Sequence, residues 1–182
     1  MLKDTITFGK QVVISDPCYV LDGTLQATYK MKPGKYRVKV KQQDGRNAIL
    51  EVIHNDHFRV RWYPTNESIG VDSGQAGFFS LETYRNDDHL KDVPLIGDMW
   101  EPDEREGEKW YIKVSDLTLN TPESYGTYDQ GVVSQSGWGD GSYRLEVAKE
   151  GKVNVGLRII FLEEEEDGDY EEEEDGDYDY GW

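Results

Sequence analysis

Apolar and polar residues alternate along much of this chain. Tyr36, Val38 and Val40 alternate with Arg37, Lys39 and Lys41, and Phe58, Val60 and Trp62 alternate with Arg59 and Arg61. Tyr143, Leu145 and Val147 alternate with Arg144 and Glu146. Val153, Val155, Leu157, Ile159 and Phe161 continue the pattern beyond Glu150-Gly151. A period of two puts the apolar side chains on one sheet face and the polar ones on the other. Turn signals at Pro33-Gly34, Asp44-Gly45, Pro64 with Asn66, and Glu150-Gly151 separate the runs. Glu150-Gly151 closes a hairpin, and Asp44-Gly45 closes another between residues 36–41 and 47–54. Residues 110–115 are a further strand candidate, and residues 153–161 are long enough to form an exposed edge.

Helical signal is scarce. Residues 78–86 fit one short helix after a glycine loop. Residues 100–108 hold six charged side chains and read as an exposed loop or short helix. The pattern predicts a mainly β fold, with an antiparallel sheet forming a small barrel or sandwich and at most one or two short helices.

Charge divides the chain in two. Its 182 residues carry 37 acidic and 20 basic side chains, a formal charge of -17. Residues 163–182 hold 13 of the acids and no base, which leaves 24 acidic against 20 basic in the rest. The division predicts one β-rich domain over 1–162 and an acidic tail over 163–182. The tail reads EEEEDGDY at 163–170 and again at 171–178. Such a run buries too little surface to offset its ordering entropy, so disorder is expected. Its first window places Glu163, Glu165, Asp167, Gly168 and Glu174 at calcium-loop spacing, but a strand precedes it where a helix belongs. Weak, nonspecific cation binding is the expectation there.

The charge balance excludes a generally basic nucleic-acid binder. No apolar run approaches the ~18 residues of a membrane span, no secretory signal is visible at residues 1–10, and the single Cys18 fits a reducing cytoplasm.

Three clusters carry candidate chemistry. Asp16, Cys18 and Tyr19 lie in Ser15-Asp16-Pro17-Cys18-Tyr19, where Asp16 can accept backbone N–H bonds in a turn. A nucleophilic Cys18 needs a base or positive field, and none adjoins it in sequence. Residues 70–77 include Asp72, Ser73, Gly74, Gln75 and Gly77. Successive N–H groups there can hold an anion, with a helix starting at Phe78 adding partial charge; the structural reading is a tight connection between strands. Residues 131–143 include Ser136, Trp138, Asp140, Ser142 and Tyr143. An exposed Trp138 can stack on a flat ligand while Asp140 accepts from hydroxyl or base donors; the structural reading is a glycine-rich bulge whose Trp covers the core. His54 and His57 would share a metal only across a turn at Asn55-Asp56, and no third ligand is placed, so no metal and no cofactor is assigned.

The segments SDPCY, GVDSGQAG and GVVSQSGWGDGSY, followed by an alternating terminal strand, resemble an uncharacterised family of phage and bacterial proteins. The last motif is similar to that of DUF4241 domain proteins. The resemblance spans residues 12 to 161 in three patches. It implies a cytoplasmic protein, in the host cytoplasm if phage-encoded, and carries no activity with it.

The two glycine-rich loops point to a non-catalytic protein that captures a small polar or anionic ligand, such as a nucleotide. One alternative is an acidic interaction factor or DNA mimic that meets a basic protein through the tail. Another is a single-stranded nucleic-acid binder. The tail resembles, in composition, the acidic tails of such proteins, and Lys35, Arg37, Lys39, Lys41, Arg59 and Arg61 lie near Tyr36, Phe58 and Trp62. Alternation argues against that surface, because aromatics in the core leave the cations alone outside. A hydrolase using Asp16, Cys18, Asp72 and the histidines ranks last, without a complete triad, phosphate loop or zinc signature.

Overall fold

The computed structural model describes residues 5–163. Two antiparallel sheets face each other and do not close on one another. The six-stranded sheet contains β1 (Thr5–Phe8), β4 (Gly34–Gln43), β5 (Arg46–His54), β6 (Trp62–Val71), β10 (Gly141–Glu150) and β11 (Val153–Ile160), in the order β1-β4-β5-β11-β10-β6. The five-stranded sheet contains β2 (Gln11–Ser15), β3 (Ala27–Lys30), β7 (Gln75–Ser80), β8 (Tyr125–Tyr128) and β9 (Gly131–Gln135), in the order β3-β2-β7-β9-β8. The architecture is therefore the sandwich of the two expected alternatives. Its core joins Ile6, Phe8, Tyr36, Leu50, Leu145, Leu157 and Ile159 from one sheet to Val12, Ile14, Phe78 and Val132 from the other.

The five-stranded sheet is buried on both faces. Val13, Phe79 and Val133 point away from the sandwich and pack under helix α1 (Glu108–Leu119), with Trp110, Val114 and Tyr84. Phe79, Tyr84 and Trp110 meet in pairs at ring separations of 5.1–5.6 Å, distances that favour edge-on aromatic attraction.

Double burial explains two differences from the sequence pattern. Residues 78–86 are not a helix: Phe78 and Phe79 belong to β7, whose six residues are all buried. A continuously buried run of that length does not separate strand from helix by period. Residues 110–115 are not a strand but lie in α1. Trp110 and Val114 face the sheet, while Ile112 is buried under the loop of residues 91–107, which completes a false period of two.

α1 starts at Gly107 without a side-chain cap of its own. The Asp87 carboxylate accepts from the N–H groups of Gly107 and Trp110 instead, at 3.0 and 2.9 Å. Two of the four unpaired donors at the helix start are thus satisfied by a neighbouring loop.

The two hairpins form as expected. Asp44 and Gly45 both have positive φ, 51° and 73°, between β4 and β5, the backbone that an Asp-Gly hairpin turn requires. β11 is not an edge; it lies between β5 and β10, with Leu157 paired to Val52 and Val147. Phe58 precedes β6 in a loop and is 88% exposed.

The cations and aromatics share the outer face of the six-stranded sheet after all. The Arg37 guanidinium lies 5.4 Å from the centre of the Phe58 ring and that of Arg158 lies 4.2 Å from Trp62. Only Tyr36 follows the alternation argument into the core. Among the described residues no helix is long and apolar enough to cross a membrane. The expected tail disorder and the calcium-like window beyond Glu163 fall outside the described residues.

Gly77 tests this packing. A Cβ built there would sit 2.0 Å from the Val132 carbonyl oxygen on β9. Gly77→Ala is expected to cost about 1–3 kcal/mol or more by overpacking, read as a lower urea midpoint. An unchanged midpoint would show that β7 and β9 are not held this closely.

Candidate functional site

Two strand pairs leave one sheet and enter the other side by side. β6 pairs with β10 at Val71 and Gly141, and β7 pairs with β9 at Gln75 and Gln135. The turn from β6 to β7 and the loop from β9 to β10 therefore emerge at the same end of the sandwich. Those connections are the two glycine-rich segments. The Ser136 N–H donates to the Gly74 carbonyl at 3.0 Å. Gly74 has φ +70°, and a Cβ there would sit 4.0 Å from the Gly139 Cα, so a residue free to adopt positive φ is needed where the loops meet.

The β6–β7 turn does bind an anion, but the anion belongs to the chain. Asp16 is fully buried. Its Oδ2 accepts from the N–H groups of Asp72 and Ser73, at 2.8 and 2.6 Å. Its Oδ1 accepts from the Cys18 N–H at 2.8 Å and the Ser73 hydroxyl at 2.6 Å. The expected anion nest is thus filled, and the helix assigned to assist it is strand β7. The N–H groups beyond Gly74 lie in the β7 ladder rather than in a concavity.

The loop after β2 is fixed from its other side too. The Arg85 guanidinium donates to the Pro17 carbonyl and the Glu108 carboxylate, both at 2.8 Å. The Tyr84 hydroxyl lies 2.7 Å from the Tyr19 carbonyl.

This packing decides the chemistry of Cys18. Burial, followed by the neighbouring Asp16 and Asp72 carboxylates, pushes its thiol up to about 12. A thiolate is the nucleophilic form, so the site works against cysteine nucleophilicity at neutral pH. Burial and Asp72 also raise the Tyr19 phenol.

Beside this anchor lies a cavity of about 280 Å3. Ser73, Gly74 and Gln75 form one side, and Gly137, Trp138 and Gly139 form another. Arg46, Thr118, Leu119, Ser124 and Gln135 complete the wall. The two loops thus converge at one cavity, and Trp138 is 73% exposed rather than spent on the core. The Arg46 guanidinium carbon lies 4.1 Å from the centre of the Trp138 ring, and Arg46 donates to the Gly137 carbonyl at 3.2 Å.

Arg46 is the one charged side chain on this wall. Gln75 and Thr118 line the cavity, and their Oε1 and Oγ1 atoms, buried behind it, have no hydrogen-bond partner. The Gln75 amide nitrogen donates to Ser115 Oγ at 3.1 Å and to Ser73 Oγ at 3.4 Å.

The other candidates lie off the wall. Asp72 is exposed and contributes its backbone to Asp16. Gly77 serves the close approach of β7 to β9. The Ser136 hydroxyl donates to the Gly139 carbonyl at 2.9 Å, and the Tyr143 hydroxyl donates to the Ser136 carbonyl at 2.8 Å. Those two residues shape the loop from behind. Asp140 and Ser142 are exposed outside the cavity. Arg46 and Thr118 carried no sequence signal, because the fold brings them from the β4–β5 hairpin and from α1.

His54 and His57 do lie across a turn, with ring centres 6.1 Å apart. No group of three His, Cys, Asp or Glu side chains suited to a metal ion occurs among the described residues. No protein-family model, curated protein or solved structure matches the chain.

Two outcomes test the anchor. Hydrogen bonds to a charged group contribute about 1.5–3 kcal/mol each, and Asp16→Asn removes the charge from four of them. The variant should lose at least about 3 kcal/mol in denaturant unfolding; a loss within measurement error would remove Asp16 as the tie. Cys18 in the folded chain should react with iodoacetamide at pH 8 at least about a hundredfold more slowly than in the unfolded chain. Its rate should still be climbing above pH 10, and comparable folded and unfolded rates at pH 8 would contradict the raised thiol.

Proposed function

We propose that this chain is a non-catalytic binding protein that captures a small anion carrying a flat, hydrogen-bonding group, of which a nucleoside monophosphate is the representative. The observation that carries this reading is the cavity wall. Its single charge is the Arg46 cation, held 4.1 Å from the centre of the exposed Trp138 ring.

Trp138 supplies an exposed ring for stacking, and Arg46 beside it supplies charge for a phosphate. A cavity of about 280 Å3 lies near the lower end of small-molecule sites, which suits one nucleotide rather than a dinucleotide. Capture without turnover fits the chemistry of the surroundings. The wall bears hydroxyls without an adjacent histidine, Asp16 is engaged by four donors, and the Cys18 thiol is held protonated. The likeness of the three motifs to a phage and bacterial family, and with it a cytoplasmic setting, belongs to the same proposal.

Native mass spectrometry of the purified chain, followed by calorimetric titration with adenosine and guanosine monophosphates, tests it. Trp138→Ala should weaken binding by the ~1–3 kcal/mol of base stacking, about 5- to 150-fold, and Arg46→Ala should remove the preference for the phosphate over the parent nucleoside. Equal binding of nucleotide and nucleoside by the intact chain, or no binding of either, would reject the reading.

A further inference from the structure

A second cavity, of about 260 Å3, opens between α1 and the segment of residues 91–107. It lies against the first half of α1, whereas the cavity described above meets that helix at Thr118 and Leu119, and the two share no wall residue.

The segment is pinned to the helix at two points. The Asp116 carboxylate accepts from the Ile96 and Gly97 N–H groups, at 2.6 and 3.1 Å. Further along, Asp87 accepts from the Gly107 N–H where the helix begins. Leu95, Met99, Trp100 and Pro102 line the cleft from the segment, and Ile112 lines it from α1. The Trp100 ring is braced by Tyr111, with ring centres 5.8 Å apart, yet Trp100 remains 46% exposed. Large apolar groups thus face water at a cleft whose shape the two carboxylate ties fix.

Charge is unevenly committed there. Lys91, Lys109 and Lys113 stand on the wall with Asp87 and Glu101. Lys113 donates to the Val93 carbonyl. Both Asp87 oxygens are engaged by the backbone, from Gly107 at 3.0 Å and Trp110 at 2.9 Å. The side chains of Lys91, Lys109 and Glu101 have no hydrogen-bond or ion-pair partner among the described residues. The uncommitted charge is therefore two cations against one carboxylate, a net positive site on a chain of charge -17.

We propose that this cleft binds an amphipathic monocarboxylate, an aryl or branched-alkyl acid, with its apolar body against Trp100, Met99 and Ile112 and its head between the Lys91 and Lys109 ammonium groups. An inorganic anion would leave the apolar wall in water, and a neutral apolar body would leave the two ammonium groups unmatched. One net cation suits one carboxylate rather than a polyanion. Removal of apolar surface from water supplies the attraction, and the lysines, point charges on flexible stems, orient the head. The volume is small for a ligand site, which suits an acid built on a single ring system.

Titration of the full chain with indole-3-propionate, its primary amide and acetate, by calorimetry and two-dimensional NMR, tests the proposal. The acid should bind saturably and move the Trp100 indole N–H resonance, assigned through Trp100→Phe. The amide should bind at least about tenfold more weakly, the loss of a charge-assisted hydrogen bond, and acetate should not bind. A Lys91→Gln, Lys109→Gln double variant alters only exposed side chains. It should bring the acid to the affinity of the amide while leaving the unfolding midpoint unchanged. Glu101→Gln should tighten the acid about two- to fivefold, the scale of an exposed charge pair, a gain that a damaged fold does not produce. Trp138→Ala should leave the acid's affinity unchanged, which separates this site from the nucleotide cavity. Equal affinity for acid and amide, loss of acid binding in Trp138→Ala, or no binding of either would overturn the proposal. Saturable binding of an acidic aromatic peptide with the free acid silent would assign the cleft to a protein partner and overturn it as well.

Discussion

A carboxylate removed from water costs several kcal/mol unless donors replace its hydration. Asp16 meets that demand with three backbone N–H groups and one hydroxyl, and the way it does so organises one end of the molecule. Its partners come from two places far apart in sequence, the loop after β2 and the turn between β6 and β7. Joining them fixes the angle at which the chain crosses from the six-stranded to the five-stranded sheet. Because β6 pairs with β10 and β7 with β9, the second crossing must follow the first. The cavity is the space left between these crossings, the β4–β5 hairpin and the end of α1. Its shape is therefore as fixed as the buried carboxylate beneath it.

The same device recurs on the other side of the five-stranded sheet. Asp116, nearly buried on α1, accepts from the N–H groups of Ile96 and Gly97 at 2.6 and 3.1 Å, and Asp87 accepts from those of Gly107 and Trp110. Together they fasten the long irregular segment between β7 and α1, which has no ladder of its own to satisfy its backbone. Each tie uses an acid as a multivalent acceptor rather than as half of an ion pair. Directed N–H donors then set loop conformation, which a point-charge attraction would leave loose.

The legible parts of the fold were those where one face is wet. β4, β10 and β11 alternate because their outer residues meet solvent, and Asp44-Gly45 and Glu150-Gly151 mark their turns. Residues 78–86 and 110–115 depart from the pattern because Phe78 and Phe79 lie in a sheet buried on both faces and α1 is buried both against that sheet and under the loop of residues 91–107, where period carries little information. The meeting of the two glycine loops was legible as chemistry, and Ser73, Gly74, Gln75 and Trp138 do reach the cavity. Ser142 does not, because its pairing with Gly70 on β6 turns it outward, and Asp140 does not, because it lies exposed in the loop just before β10. Arg46 was invisible for the same reason: its nearness to Trp138 is a property of the sheet, not of any segment. The role of Asp16 could be read only in part. Its turn geometry was local, but the donors that complete its shell come from a loop 56 residues away.

Charge placement separates the two cationic surfaces physically. Arg46 is held against the Trp138 ring and a backbone carbonyl, at a wall where part of the surroundings is protein rather than water. Coulomb attraction there is only weakly reduced by added salt. Lys39 and Arg144 project from an open sheet face, where individual pairs contribute about 0–1 kcal/mol and are screened readily. One well-placed guanidinium therefore keeps its attraction for an anion in salt, whereas the open sheet face would need many weak pairs acting together. The two surfaces thus differ in the number of charges by which an anion could be retained, on a molecule whose net charge of -17 repels anions.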